Sequence, residues 1–279
     1  MEKNFIDNKR SSPLAETVLS EVLMTNRDIF KIALEQSAED CNCSVADFLK
    51  SENIVVISRK NPKARSYVPL PLACDLVTYG GNIVAQVSES LKDPVTDFLK
   101  NKDFHLFETP QLHLLDDFLS EYGLKTCYMG EYFLPDLNSF RILECRFPTK
   151  LLKREDLKEL YLPEWSNALY RKENKRLDVM AVGAYDGDQL IGLAGCSEDC
   201  KEMYQIGVDV LPQYRGKGIA AALTSRLASE IFKLGKIPFY CAAWSNVISM
   251  RNAVNCGFKP AWAELTARET EFVDEQKPL

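Results

Sequence analysis

The chain has 279 residues, of which 46% are hydrophobic and 27% charged, a composition typical of a globular protein with one large domain or two smaller ones. No stretch approaches the roughly 20 apolar residues of a membrane helix, and the first residues, MEKNFIDNKR, lack the apolar core of a signal peptide. The 34 basic and 40 acidic residues give a net charge of −6, without the basic excess that a nucleic-acid-binding surface needs. We therefore expect a cytoplasmic protein with no membrane and no nucleic-acid partner, in an oligomeric state that the composition leaves open.

The nine cysteines are scattered along the chain, with two close pairs, Cys41 with Cys43 and Cys196 with Cys200. A structural zinc site usually needs two tight cysteine or histidine pairs at suitable spacing, and the two histidines of this chain are isolated. The pattern therefore favours reduced cysteines in a cytosolic protein, and no metal site is expected.

Residues before about 140 alternate between helical and extended patterns. Apolar spacing predicts a helical region over 13–50, with a polar interruption at Thr25 and Asn26, and Ser44 is placed to cap its last part. Two apolar runs separated by Gly80 and Gly81 predict a hairpin or the start of a strand-turn-helix unit. The other predicted elements of this part are a strand over 53–58 and an amphipathic helix over 110–122.

The sequence Leu134-Pro135-Asp136 indicates a boundary, which predicts a smaller α/β domain over residues 1–140 and a second domain over 141–279. The second part alternates strands and helices, so the fold class is α/β (α+β), with a mixed sheet flanked by helices. Its predicted elements are a helix over 153–161, a hairpin of strands 179–185 and 189–196 around Asp186-Gly187-Asp188, a strand over 203–211, a helix over 218–234, a strand over 238–244, a helix over 247–255 and a strand over 258–265.

A strand that runs into a glycine-containing turn and then a helix is the most informative segment, from Val208 to Ala221. The first amides of a helix are free and lie at the positive end of its dipole, and glycines let that backbone approach a ligand closely. Such a turn suits a pyrophosphate, and Arg215 and Lys217 add positive charge beside it.

Three interpretations of this turn remain open at this point. The glycines can serve only to break the strand from the helix. Gly216, Gly218 and Ala221 also fit the dinucleotide pattern G-x-G-x-x-A, but that pattern expects an acidic residue about 20 residues on, at the end of the next strand. The next strand ends Tyr-Cys-Ala-Ala-Trp244 without a carboxylate. The third interpretation is a site for the pyrophosphate of coenzyme A.

The order of motifs resembles one known family. Arg215-x-x-Gly218-x-Ala220 is similar to the R/Q-x-x-G-x-G/A signature of the GNAT (N-acetyltransferase) superfamily of acyltransferases. Downstream, Asn246-x-x-Ser249 and the Cys-Gly-Phe ending at residue 258 resemble the next motif of that family, and the hairpin at 179–196 lies where the family has its second and third strands. The N-terminal half is similar to the extra domain of a bacterial two-domain subgroup, as a degenerate copy of the fold or as a domain on the acceptor side.

This resemblance implies that acetyl-CoA, or coenzyme A with another acyl group, binds with its pyrophosphate on the turn and its pantetheine arm along a strand that splays from the next one. Asn246 is also a good N-cap for the following helix, so both roles stay open for it. The implied cofactor-binding residues are Val208, Asp209, Val210, Arg215, Gly216, Lys217, Gly218, Ile219, Ala220, Ala221, Asn246 and Ser249.

The implied reaction is direct attack of a neutral amine, from a small molecule or a peptide, on the bound thioester. The protein must help to remove a proton from the amine, polarise the carbonyl group and protonate the leaving thiolate. Many family members have a tyrosine one helical turn before the Gly-Phe glycine as the proton donor, where this chain has Ala253. Ser249, Cys241, a tyrosine elsewhere or water can take its place.

Glu202, at the start of the 203–211 strand, is the candidate catalytic base, with a plain solvated acid as the alternative. Asp209 is a charged residue inside an apolar strand, which requires a partner or a role for its side chain. The leading function is an N-acyltransferase that uses acetyl-CoA. A non-catalytic acyl-CoA-binding sensor or interaction module, and a nucleotide-binding oxidoreductase, are the two alternatives.

Overall fold

The computed structural model describes residues 24–170 and 177–276. Its strands are β1 (Ile54–Ile57), β2 (Cys74–Thr78), β3 (Val84–Val87), β4 (Leu124–Pro135), β5 (Thr149–Lys153), β6 (Asp178–Asp186), β7 (Gln189–Ser197), β8 (Met203–Val210), β9 (Ile237–Ala243) and β10 (Phe258–Glu269). Its α-helices are α1 (Asn26–Asp40), α2 (Lys92–Leu99), α3 (Gln111–Ser120), α4 (Ile219–Lys233), α5 (Val247–Asn255) and α6 (Thr270–Asp274). None of the helices in these residues is long and apolar enough to span a bilayer.

All the strands of the described residues join one mixed sheet in the order β1-β3-β2-β10-β4-β9-β8-β7-β6-β5. The β1–β3 and β8–β9 pairs are parallel, and the other neighbours are antiparallel. The predicted mixed sheet flanked by helices is therefore confirmed. The sheet is continuous across the predicted boundary at residue 140, because β4 lies between β9 and β10, and the division into two domains stays a prediction.

Helix α1 begins where the sequence shows a polar interruption. The side chain of Thr25 accepts a hydrogen bond from the Asp28 amide, and the Asp28 carboxylate accepts one from the Thr25 amide, which is a capping box. Ser44 and Asp47 form the same arrangement at the start of a short 3-10 helix, Val45–Leu49. The part of the predicted helix over residues 13–23 lies outside the described residues.

The hairpin of β6 and β7 and the elements from β8 to α5 follow the sequence prediction closely. Gly187, in the β6–β7 turn, has a φ of 57°, which explains the glycine in the Asp-Gly pair. The segments on either side of Gly80 and Gly81 form an antiparallel hairpin rather than a strand and a helix.

The predicted helix over 153–161 is wrong. Residues Thr149–Lys153 form β5, which pairs with β6, and only the 3-10 segment Arg154–Leu157 follows. Only Lys153 of the predicted helix lies in β5, and the Asp156 carboxylate accepts the Lys153 amide at 2.9 Å, which caps the short 3-10 turn. The strand β4 and the helices α2 and α6 were not predicted.

The two faces of the sheet are covered differently around β7 and β8. A Cβ atom added to Gly192 would lie 2.9 Å from Ile219, so α4 packs on the face where Gly192 points. Gly195 and Gly207 point to the other face. An added Cβ atom at Gly195 would overlap the backbone of Ala168, and one at Gly207 would overlap the backbone of Asn167. We call these two sides the helix face and the cleft face.

Candidate functional site

Strands β8 and β9 separate in the middle of the sheet. Their parallel register ends at Ile206 opposite Tyr240, although β8 continues to Val210 and β9 to Ala243. We call the opening between the unpaired ends the strand gap. The separation was predicted from the family resemblance, and it leaves backbone groups of both strands without a neighbouring strand.

Backbone direction along β8 decides which residues face the strand gap. The Leu211 amide, directly after β8, donates to the carbonyl oxygen of Ile191 on β7, at 3.0 Å. Backbone groups alternate in direction along a strand, so the amide and carbonyl groups of Asp209 also point towards β7. Val208 and Val210 therefore present their amide and carbonyl groups to the gap.

The turn between β8 and α4 has the geometry that a phosphate site requires. Gly216 and Gly218 have φ values of 74° and 78°, and a Cβ atom added at either would meet nothing within 4 Å. The bond from the Ala222 amide to the Gly218 carbonyl begins α4, so the amides of residues 219–221 have no partner within the helix. Open space above free amides fits a pyrophosphate group.

The two cations of the turn are both exposed but differ in their contacts. Arg215 Nε donates to the carbonyl oxygen of Val210 at 3.0 Å, which ties the turn to the end of β8. The Lys217 ammonium group lies 4.7 Å from the ring centroid of Tyr214. Both cations belong to the turn that precedes α4, and their contact with a phosphate stays a prediction.

The side chain of Asp209 anchors the segment that covers the cleft face. Its carboxylate accepts hydrogen bonds from the Asn167 amide at 2.8 Å, from Asn167 Nδ2 at 2.6 Å and from the Ala168 amide at 2.8 Å. These bonds hold the backbone of residues 167 and 168 directly over Gly195 and Gly207. The structure thus supplies the role that a charged residue in an apolar strand requires.

A cavity of about 550 Å³ opens on the cleft face beside this segment. If the β8–β9 register continued by one residue, Gly207 would stand opposite Cys241, so the floor of the cavity meets the closed end of the strand gap. We call this cavity the Gly207 cleft. Its polar and small lining residues include Tyr67, Tyr170, Asp178, Gln205, Gly207 and Arg268.

Asp178 is the buried carboxylate of the cleft. Burial raises the pKa of Asp178 to about 6, against the opposing effect of hydrogen bonds from the Tyr170 amide and the Tyr161 hydroxyl. Its carboxylate lies 2.9 Å from the Tyr161 hydroxyl oxygen. The protonated form is therefore favoured by folding, and this contribution to stability is present below about pH 4 and lost as the pH rises through 6.

Replacement of Asp178 by asparagine is expected to remove this dependence. The variant should gain stability relative to the parent as the pH rises from 4 to 7, by on the order of 1–2 kcal/mol once access of water from the cleft is allowed for. Urea unfolding at several pH values measures the difference. A constant difference between the two proteins over this range would contradict the raised pKa.

The residues after β9 have local structural roles. The Asn246 side-chain oxygen accepts a hydrogen bond from the Ser249 amide at 3.1 Å, so Asn246 is the N-cap of α5. The Ser249 hydroxyl lies 2.8 Å from the Tyr240 hydroxyl. The capping role of Asn246 is present in the fold, and cofactor contacts of Asn246 and Ser249 stay predictions.

Glu202 stands at the opposite end of β8 from the strand gap. It is half-buried and forms ion pairs with Lys201 and Lys236, each at 3.3 Å. Burial disfavours its charged form, but the hydrogen bonds from the two lysines outweigh this and lower the pKa of Glu202. A carboxylate held ionised far from the gap is poorly placed as a base, so the geometry gives this prediction no support.

Sequence reasoning missed a group of polar side chains on the cleft face at the closed end of the gap. The Tyr128 hydroxyl lies 3.0 Å from Cys241 Sγ, and Tyr132 and Glu264 stand next to this pair. A charged residue at 264 within a predicted strand is the same signal that singled out Asp209. The tyrosines carried no signal because β4 was not predicted.

Comparison with known proteins gives one family. The model of the acetyltransferase (GNAT) family matches residues 142–258. None of the curated proteins is significantly similar to the chain.

Solved structures show weak similarity to the chain. A putative GNAT-family acetyltransferase from Novosphingobium aromaticivorans DSM 12444 has 18% identity over 52% of this chain and 66% of its own, with a TM-score of 0.42. A GNAT-family acetyltransferase from Colwellia psychrerythraea has 15% identity over 57% of this chain and 63% of its own, with a TM-score of 0.41. The matches thus cover just under two thirds of these two proteins. A Drosophila protein has 9% identity over 94% of this chain and 98% of its own, with a TM-score of 0.45.

The matched segment contains the strand gap, the glycine turn and the floor of the Gly207 cleft. Residues 142–258 of this chain therefore match the acetyltransferase (GNAT) family.

Proposed function

We propose that this protein is an N-acyltransferase that moves an acetyl or other acyl group from acetyl-CoA to an amine of a small molecule or peptide. The observation that carries the proposal is the strand gap, whose register ends at Ile206 and Tyr240 while the open edge of β8 leads to the glycine turn. A gap with free backbone groups that ends at free helix amides suits a donor with an extended arm and a pyrophosphate.

The residues that would hold the donor follow from their directions. The backbone groups of Val208 and Val210 face the gap and would bond the pantetheine arm. The amides from Gly216 to Ala221, with Lys217 and Arg215, would hold the pyrophosphate. Acetyl-CoA supplies the acyl group as a thioester, and the protein supplies position and proton transfer.

The amine would enter through the Gly207 cleft, which meets the gap from the other side of β8. The cleft is lined by Tyr67 and Arg268 as well as by residues of β7 and β8. Since Tyr67 precedes residue 140 and Arg268 follows the matched family segment, we propose that the flanking parts of the chain shape the acceptor site. This is the acceptor-side role expected of the N-terminal part.

Calorimetric titration with coenzyme A, followed by a thiol-release assay with acetyl-CoA and a panel of amines, tests the proposal. The panel should include amino acids, polyamines and peptides. Binding together with thiol release that depends on one class of amine is the expected result. Binding without release from any amine would favour the non-catalytic module, and the absence of binding would contradict the proposal. Parallel titration with NAD(H) tests the oxidoreductase alternative.

Charge reversal at Lys217 should weaken donor binding. The Lys217→Glu variant is expected to raise the Kd for coenzyme A by about ten- to a hundredfold, because a cation beside the pyrophosphate becomes an anion. Titration calorimetry measures the change. Lys60→Glu is the matched control, since Lys60 is exposed and follows β1 at the far edge of the sheet. Equal affinities of both variants would show that the turn does not hold the phosphates.

A further inference from the structure

The position at which the family resemblance implies a proton donor holds Ala253 in this chain. Ala253 is fully buried, so no polar group reaches the gap from that place on α5. The nearby Ser249 hydroxyl is already paired with Tyr240. If the chain transfers acyl groups, a proton donor for the leaving thiolate has to come from another element.

The Tyr128 side chain reaches the closed end of the strand gap on the cleft face, although its backbone lies beyond the Gly130–Ala243 pair. It belongs to β4, whose residues pair with β9 from Gly130 opposite Ala243 to Phe133 opposite Tyr240. The Tyr128 ring leans along its strand over Gly130. A Cβ atom added at Gly130 would lie only 2.7 Å from Tyr128 Cζ, so the absence of a side chain there makes room for the ring.

This orientation carries the Tyr128 hydroxyl to Cys241, 3.0 Å from its sulfur. Cys241 is the first residue of β9 after the last β8–β9 pair, and its side chain lies on the same face as Gly207. The hydroxyl therefore lies where the Gly207 cleft and the strand gap meet. Burial, and then the neighbouring Cys241, raise the pKa of Tyr128, so the hydroxyl keeps its proton at neutral pH.

Two further groups, Tyr132 and Glu264, are candidates to return a proton to Tyr128. Tyr132, two residues further along β4 from Gly130, is buried, and its hydroxyl opposes the rise in the pKa of both Glu264 and Cys241. Burial and repulsion from Asp75 raise the pKa of the Glu264 carboxyl, which outweighs the opposite effects of Arg65 and Tyr132. A carboxyl group that retains its proton near neutral pH can give it up and take it back.

We propose that Tyr128 is the catalytic residue that donates the proton to the leaving thiolate, and that Tyr132 and Glu264 are positioning residues that restore its proton. The inference rests on the proposed acyl transfer and adds the identity of its proton donor. The placement of Tyr128 over Gly130, against Cys241 at the end of the β8–β9 register, is the observation that carries it.

The step balances as follows. The amine nitrogen forms a bond to the acyl carbon, the carbon–sulfur bond breaks, and its electron pair goes to sulfur. The Tyr128 hydroxyl gives its proton to that sulfur and is reprotonated from Glu264 through the Tyr132 hydroxyl. The proton released by the new amide nitrogen returns to the Glu264 carboxylate, so the protein ends in its starting state and free thiol and amide are the products.

Replacement of Tyr128 by phenylalanine removes the hydroxyl and keeps the ring. We expect kcat to fall by about 10²- to 10⁴-fold, with the Kd for coenzyme A unchanged within about twofold. Tyr122→Phe is the matched control, because Tyr122 is an exposed tyrosine after α3, away from the gap. Gly130→Ala is a second variant that keeps Tyr128 but displaces its ring, and it should lower kcat in the same direction.

A second readout does not depend on knowing the amine. The pKa of the thiol of bound coenzyme A is read from thiolate absorbance, as the difference between the protein with coenzyme A and the protein alone. A hydrogen bond from Tyr128 stabilises the thiolate, so Tyr128→Phe should raise this pKa by about one unit, and Tyr122→Phe should leave it unchanged.

The outcomes separate the two proposals. If coenzyme A does not bind the parent protein, the proposed function is wrong and the inference falls with it. If it binds, and Tyr128→Phe changes neither the pKa of the bound thiol nor the turnover, the proposed function stands and Tyr128 is not the donor. A raised thiol pKa in Tyr128→Phe supports the inference even before an acceptor amine is found.

Discussion

Replacement of Asp40 by alanine is expected to destabilise the protein by about 3–5 kcal/mol, because it leaves the Arg65 guanidinium buried without a counter-charge. Arg65 and Asp40 are 2% and 5% exposed, and their Nη1 and Oδ2 atoms lie 2.5 Å apart. Asp40 also accepts the Arg65 amide at 2.7 Å. Without the carboxylate, the guanidinium would keep its contacts with the rings of Phe239 and Trp262 but lose its hydrogen-bonded partner.

Urea unfolding measures this change, and an exposed pair provides the control. Lys63 and Glu39 lie 3.5 Å apart with side chains 75% and 38% exposed, so Glu39→Gln should change stability by less than about 1 kcal/mol. A double variant that replaces both Asp40 and Arg65 with apolar residues should recover part of the loss, since the buried guanidinium that lost its carboxylate is then absent. A small effect of Asp40→Ala alone would show that water reaches Arg65.

Replacement of Gly207 by alanine is the second large effect that we expect. The new Cβ atom would overlap the carbonyl oxygen of Asn167, which is backbone held by Asp209 and not a side chain that can rotate away. Forced overpacking of this kind destabilises by roughly 1–3 kcal/mol or more. The segment over the cleft face must move, so acceptor turnover should also fall sharply.

Hydrogen exchange locates this change within the molecule. The amides of Asn167 and Ala168 both donate to Asp209, so they should exchange faster in Gly207→Ala than in the parent. Gly81→Ala is the matched control, because a Cβ atom there meets nothing within 4 Å and its φ is not positive. Unchanged exchange of Asn167 and Ala168 in folded Gly207→Ala would show that the segment does not rest on this glycine.

The predictions converge on one region, where several parts of the chain meet around the closed end of the strand gap. Asp209 and Gly207 of β8 hold the covering segment, and Tyr128 of β4 reaches Cys241 of β9. The Asp40 variant tests the buried ion pair with Arg65. The Gly207 variant tests the floor of the Gly207 cleft, and the Tyr128 variant tests the proton transfer that we propose. Each has a readout of its own, so the failure of one does not remove the others.

Local patterns sufficed for the proposed donor side of the site, because its parts are contiguous. The strand, the turn with Gly216 and Gly218, and the start of α4 lie within a single short segment, and their types follow from apolar runs, glycines and helix-start signals. Both glycines have the positive φ that their residue type permits.

The residues of the proposed proton transfer were not accessible to the same reasoning. Tyr128, Cys241 and Glu264 are distant in sequence and become neighbours only because β4 is inserted between β9 and β10. Local propensity did not predict β4 at all, and nothing in a strand pattern says which strand it will pair with. Glu202 was singled out by its position in the sequence, and the fold places it at the end of β8 that is away from the strand gap.

By itself the sequence determined the mixed α/β class, the elements from β6 to α5 and the glycine turn, because each depends on contacts between residues close along the chain. The tertiary structure alone decided the order of the strands, the burial of Arg65 against Asp40 and the approach of the Tyr128 hydroxyl to Cys241. These depend on which distant segments come together, and that choice is made by the packing of the whole sheet, where each strand gains its backbone partners from its neighbours.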